Sequence, residues 1–145
     1  MARKKKYSPK PFESKGEKYL DEKGIMRSDT SANIYESMLA SSVFRDLKPK
    51  QKVLYLYCKA QYYGKRKPAK DFPNNADYAK DEVIYMNWNI ARRNKLYSDT
   101  DSSTFYKDMK ALIDHGFLEK LKSGKAHKEK NIYLLSNKWQ HVISD

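Results

Sequence analysis

Ser102, Ser103 and Thr104 set three hydroxyls side by side, and Lys107 and Lys110 follow Thr104 at steps of three. Hydroxyls donate and accept hydrogen bonds, whereas ammonium groups only donate. At about 100° per residue, Ser103, Lys107, Lys110 and Ala111 share one helical face, with Thr104 at its margin. Asp114 lies on the same face near its far end. Such a face suits an anionic partner rich in hydrogen-bonding edges.

The other side of this segment is apolar. Phe105, Met109, Leu112 and Ile113 recur at the intervals of a buried stripe, so a helix is predicted over 101–115. Asp101 is the favoured N-cap, and Gly116 supplies the left-handed stop. His115 falls in the last turn, where the helix dipole favours a cation.

The neighbouring elements must hold that face outward. Downstream, two strands are predicted at about 117–122 and 131–136, around a tip reading SGKAHKEK. Lys125, His127, Lys128 and Lys130 charge this tip, and no core requires that. His127 is read equally as a phosphate contact or as solvated. Upstream, EVIYM predicts a short strand at 82–86. A helix over 87–96 follows, capped by Asn87, with Trp88 and Ala91 inward and Arg92, Arg93 and Lys95 exposed.

Pro49 and Gly64 bracket an earlier helix over 49–63, on which Val53, Leu56, Tyr57 and Ala60 read as the core stripe. Tyr55 and Tyr62 then fall on its opposite face, as ordinary exposed tyrosines or as the surface for a homodimer or the folded-back N-terminus. Ahead of it, one short helix capped by Ser31 or Asn33 is expected to carry Ile34, Met38 and Leu39, followed by a Val43–Phe44 contact. Residues 65–81 read as a long loop with a second basic patch at Lys65, Arg66, Lys67 and Lys70. Residues 1–30 mix charge with Pro9, Pro11, Gly16 and Gly24 and read as a flexible basic arm. Its Arg3–Lys6 cluster either tracks phosphates or is a solvated tail. The folded domain is placed at 31–145.

Composition agrees with a polyanion partner. Thirty Lys+Arg against eighteen Asp+Glu give a formal charge of +12. Aromatics at 13%, including twelve tyrosines, argue for a folded core. No run approaches the roughly 18 apolar residues of a membrane span, and the basic N-terminus lacks the apolar stretch of a secretory signal, so no membrane partner is expected. The lone Cys58, inside an apolar run, fits a packed residue in a reducing cytoplasm. There is no Gly-rich phosphate loop, C-x-x-C pair or G-x-S-x-G, and His115, His127 and His141 are not spaced as ligands. Neither an enzyme nor a metal or cofactor is expected.

The order helix, short strand, helix, helix, hairpin predicts an α+β fold. It is the order of a winged helix-turn-helix: a three-stranded antiparallel sheet built from the short strand and the C-terminal wing hairpin, with an additional N-terminal helix. The expected partner is double-stranded DNA. The helix 101–115 would enter a major groove about 12 Å wide, Arg92 and Arg93 would cross phosphates, and the tip would reach flanking backbone. RNA or single-stranded nucleic acid is the rival, since basic segments and tyrosines can stack bases. A winged helix that binds only protein is a second.

The segments LKPKQKVLYLYCKAQYYG and YMNWNIARRNKLYSDTDSSTFYKDMKALIDHGFLEKLKSGKAHKEKNIYLLSNKW carry a recognisable pattern over about residues 43–139. It resembles the winged-helix domain of replication-initiator and conjugation-accessory proteins of Gram-positive plasmids and integrative conjugative elements. That resemblance implies duplex binding at an element-encoded site, with other transfer or replication proteins as further partners. It places Ser102, Ser103 and Lys107 at base-reading positions and Lys125 and Lys128 on the wing. Thr104, Tyr106 and Lys110 complete the DNA-facing set on the helix. The chain ends soon after the wing, short of what a full initiator carries, so an accessory or regulatory DNA binder is the expectation.

Overall fold

The computed structural model describes residues 10–14, 17–29, 31–61, 83–122 and 132–141. Two compact units emerge, Met1–Ser31 and Ala32–Asp145. In the first, β1 (Lys18–Leu20) pairs antiparallel with β2 (Met26–Ser28). Asp21 organises the turn between them. Its Oδ1 accepts the Lys23 and Ile25 amides, and its Oδ2 accepts Arg27 Nε. Those contacts hold the Asp21 carboxyl below its usual range, the Arg27 hydrogen bond contributing most. This hairpin lies within the segment read as a flexible arm.

The second unit has the mixed α+β character that the element order predicts. Its helices are α1 (Glu36–Leu39), α2 (Ser42–Asp46), α3 (Pro49–Lys59), α4 (Trp88–Arg93) and α5 (Ser102–Asp114). Strands β3 (Val83–Tyr85), β4 (Leu118–Lys122) and β5 (Ile132–Leu135) form one antiparallel sheet in the order β3-β5-β4. The short strand and the C-terminal hairpin thus share one antiparallel sheet, as expected, with the short strand beside β5. A 3-10 turn, Lys138–His141, follows β5. No helix among the described residues is long and apolar enough to cross a membrane.

Where one short helix carrying Ile34, Met38 and Leu39 and then a Val43–Phe44 contact were expected, the structure has two helices. Tyr35, not Ser31 or Asn33, occupies the first N-cap position and makes no side-chain cap. Ser41 breaks the run: its Oγ accepts the Phe44 amide and caps α2. Met38, Val43 and Phe44 are buried as a result, while Ile34 and Leu39 stay partly exposed.

Helix α3 begins at Pro49 as predicted, but it presents the other face to the core. Leu54, Tyr55 and Cys58 are buried with Gln51, whereas Val53, Leu56 and Tyr57 are each about 40% exposed and Ala60 is exposed. Both sets have helical spacing, so periodicity alone does not choose between them. Contacts on the buried side do. Tyr55 packs against Phe117 at 5.2 Å between ring centroids, and Gln51 finds a buried polar partner on α5. Tyr55 is therefore not part of a free dimer surface. Tyr62, Gly64, the strand residue Glu82 and the 65–81 loop lie outside the described residues.

The core centres on Phe105, Phe117, Leu54, Ile84 and Leu112, all fully buried. Each contributes roughly 1.5–3 kcal/mol by leaving water. Strand alternation splits the sheet between two clusters. Ile84 and Tyr133 join the main core, while Val83, Tyr85 and Ile132 pack on the other side with Ile90 and Leu134. Gln61, just past α3, reads the β3 edge like another strand. It donates to the Tyr85 carbonyl at 2.6 Å and accepts the Tyr85 amide at 2.9 Å.

Candidate nucleic-acid interface

Two helix ends define this surface. At the start of α4, Asn87 Oδ1 accepts the Ile90 amide, as its cap role requires. Ala91 is fully buried, and Trp88 packs at about 6 Å from both Tyr97 and Phe105. That anchors the inner side of α4 and leaves Arg92, Arg93 and Lys95 exposed. They line an open depression of about 690 Å³ together with Asn89 and Asp99.

Helix α5 buries Phe105, Met109 and Leu112, with Ile113 packed at the core margin. It ends in a complete Schellman arrangement. The Phe117 amide donates to the Leu112 carbonyl and the Gly116 amide to that of Ile113. Gly116 has φ +85° there, and a Cβ on it would sit 2.6 Å from the Trp139 backbone nitrogen. That nitrogen donates to the Gly116 carbonyl, and the Trp139 ring stacks on Phe117. Trp139 thus packs over the core beside Phe117.

The outward face of α5 carries Ser103, Tyr106, Lys107 and Lys110, all exposed, with Ser102, Thr104 and Ala111 half-buried beside them. Lys107 has no carboxylate partner among the described residues. Lys110 pairs with Asp114 at 3.0 Å, an exposed contact that is weak and displaceable. Asp101 is the N-cap as predicted, yet its carboxylate caps no backbone amide; it accepts Thr104 Oγ1 at 2.5 Å instead. The first-turn amides of α5 therefore lack a side-chain cap. Lys125, His127 and Lys128 lie outside the described residues.

Sequence reasoning missed the polar assembly beneath this face. Asp108 is 5% exposed on the inner side of α5. Its Oδ2 accepts the Tyr97 hydroxyl at 2.6 Å, and its Oδ1 accepts Gln51 Nε2 at 3.0 Å. Gln51 Oε1 also accepts the Lys48 amide at the start of α3. One carboxylate thus ties α5 to α3 and to the turn after α4. Burial, reinforced by Asp108, drives the Tyr97 pKa far above its ordinary value. The only sequence signal was Asp108 itself, a charge inside an otherwise apolar stripe.

At the other end of α5, His115 Nε2 meets Asp46 Oδ2 at 2.8 Å and Nδ1 meets the Ala111 carbonyl at 2.7 Å. With both nitrogens facing acceptors, the imidazolium is favoured, and the Asp46 contact raises the His115 pKa most. Among the described residues, no group of three or more His, Cys, Asp or Glu could hold a metal. The chain matches no protein-family model, no curated protein and no solved structure.

Proposed function

We propose that this chain is a winged-helix protein that binds double-stranded DNA, with α5 as recognition helix. The observation that carries this reading is the division of α5. A buried apolar side and an internal carboxylate anchor it, while Ser103, Tyr106, Lys107 and Lys110 stand outward. An anchored helix with a hydrogen-bonding, cationic free face is what readout of a groove requires.

Arg92 and Arg93 on α4 supply backbone contacts beside it. The uncapped first turn of α5 adds amide donors. Asp99 and Asp101 oppose a phosphate at that end, which leaves phosphate contact on α5 to Lys107 and Lys110. By the resemblance, Lys125, His127 and Lys128 are assigned to the wing and to flanking backbone. The +12 charge favours the same partner. An accessory or regulatory role in transfer or replication of a mobile element rests on the resemblance alone.

Binding curves on duplex DNA, single-stranded DNA and RNA of one length test the proposal. Duplex preference is the expected result. Stronger binding to either single strand transfers the reading to base stacking, with Tyr106 as the exposed ring. No binding to any of the three leaves a protein-interaction module.

A further inference from the structure

Lys95 holds a backbone conformation that lysine rarely adopts. Its φ is +57°, and it is the one non-glycine residue with positive φ among the described residues. It occupies the position just past the cap of α4, in a Schellman arrangement: the Leu96 amide donates to the Ala91 carbonyl and the Lys95 amide to that of Arg92. Glycine is the usual residue there because a Cβ is crowded in the left-handed region. The same chain uses Gly116 at the matching position after α5. A lysine thus stands where glycine would close the helix with less strain.

What the lysine adds is charge at a particular place. Lys95 lines the same open depression as Arg92 and Arg93. Asn89 Oδ1 accepts a long 3.5 Å contact from Arg92 Nη2, which steers that guanidinium. Asp99 is the one acidic residue on the lining. Three cations against one carboxylate leave a net charge of +2 in the depression. The helix C-terminus opposes an anion by about half a charge at most, and its Ile90, Ala91 and Arg92 carbonyls are already engaged. Asn94 Nδ2 and the Asn94 amide both donate to the Ile90 carbonyl, and the Lys95 and Leu96 amides take the next two.

We propose that Arg92, Arg93 and Lys95 form a phosphodiester-binding site at the end of α4, in which the left-handed residue is retained for its ammonium group. As a DNA contact this rests on the duplex reading above. As an anion site it has an assay of its own.

The assay is an NMR titration of the full chain with dimethyl phosphate, on wild type, Lys95→Gly and Lys95→Arg. Saturable shifts are expected at the amides of residues 89–99 in wild type and Lys95→Arg, and several-fold weaker binding in Lys95→Gly. The glycine variant is expected to keep or raise the melting temperature, because strain is relieved. On duplex DNA, Lys95→Gly should weaken specific and random sequences alike and flatten the log K against log salt slope by about 0.9. No local response to dimethyl phosphate, an equal response in Lys95→Gly, or a lower melting temperature in that variant overturns the site. Wild-type duplex binding with an unchanged slope in Lys95→Gly removes Lys95 from the DNA contact and leaves the duplex reading standing. A Lys95-dependent phosphate response with no duplex binding keeps the site and removes that reading.

Discussion

The Tyr97 hydroxyl donates to Asp108 Oδ2 at 2.6 Å inside the second unit, across the turn that joins α4 to α5. This contact ties the turn after α4 to the inner side of α5, opposite its exposed lysines. Asp108 also receives Gln51, so one carboxylate fixes three parts of the chain. Tyr97→Phe removes one donor and leaves a buried acceptor short. It should cost on the order of 1–3 kcal/mol of unfolding free energy. Asp108→Ala strands both donors and should cost more. A double-mutant cycle between Tyr97 and Asp108 in urea melts should give a clear coupling energy; additive effects would show that the contact does not organise the turn.

Substitutions on α3 decide which of its faces supports the core. Leu54→Ala should cost about 2–5 kcal/mol, as for a buried leucine that leaves a cavity. Leu56→Ala should cost far less, because Leu56 is 41% exposed. Equal losses would restore the Val53, Leu56, Tyr57 and Ala60 stripe as the inner one.

That helix shows where the sequence stopped being legible. Caps and stops depend on neighbours in the chain, and Pro49, Asn87, Asp101 and Gly116 all sit where local chemistry predicts them. The stripe on α5 was equally plain, since lysines occupy its other side. On α3 both candidate stripes contain apolar residues. The choice hinges on Gln51, which looks like a surface residue until its partner Asp108, 57 positions away, is known. Lys95 is similar. Nothing in the run Asn-Lys-Leu announces a left-handed lysine, because the usual marker there is glycine. The outward set on α5 was legible; the polar contacts that hold it were not.

Gly116→Ala should destabilise by at least about 1–2 kcal/mol, the left-handed penalty alone being of that size. The added methyl also meets the Trp139 backbone nitrogen at 2.6 Å. The 3-10 turn should loosen from Phe117, and Trp139 fluorescence should shift to the red. An unchanged spectrum and melting temperature would contradict this close approach.

Ionisation gives two pH windows. His115 has a raised pKa when folded, chiefly through Asp46. Its stabilisation is fully present below the unfolded value of 6.5 and is lost as pH rises through the higher folded value. Asp46 is well exposed, so the effect should be tenths of a kcal/mol. The melting-temperature difference between wild type and Asp46→Asn should be larger at pH 5.5 than at pH 9. Tyr55 and Tyr133 are each pushed up to about 12, mainly by burial, and Tyr97 further still. Folded-state stability should therefore hold to about pH 10 and fall above it as unfolded tyrosines ionise. Ultraviolet titration should show these three tyrosines ionising only with unfolding.

On α5, Ser102→Ala and Ser103→Ala should reduce discrimination between DNA sequences, a lost base contact costing on the order of 1–3 kcal/mol. Lys125→Ala and Lys128→Ala should weaken all sequences alike. If the tip substitutions alter sequence preference and the helix substitutions do not, the two roles are exchanged.

The most direct measurement of duplex recognition is the salt dependence of binding to one DNA duplex. Six phosphate contacts, from Arg92, Arg93, Lys107, Lys110, Lys125 and Lys128, predict a log–log slope of about −5.4 at roughly −0.9 each, and Lys95 would steepen it by one further increment. Substituting Arg92 and Arg93 by alanine should flatten the slope by about 1.8. A wild-type slope near zero, or an unaltered slope in the double variant, would contradict duplex binding through this surface.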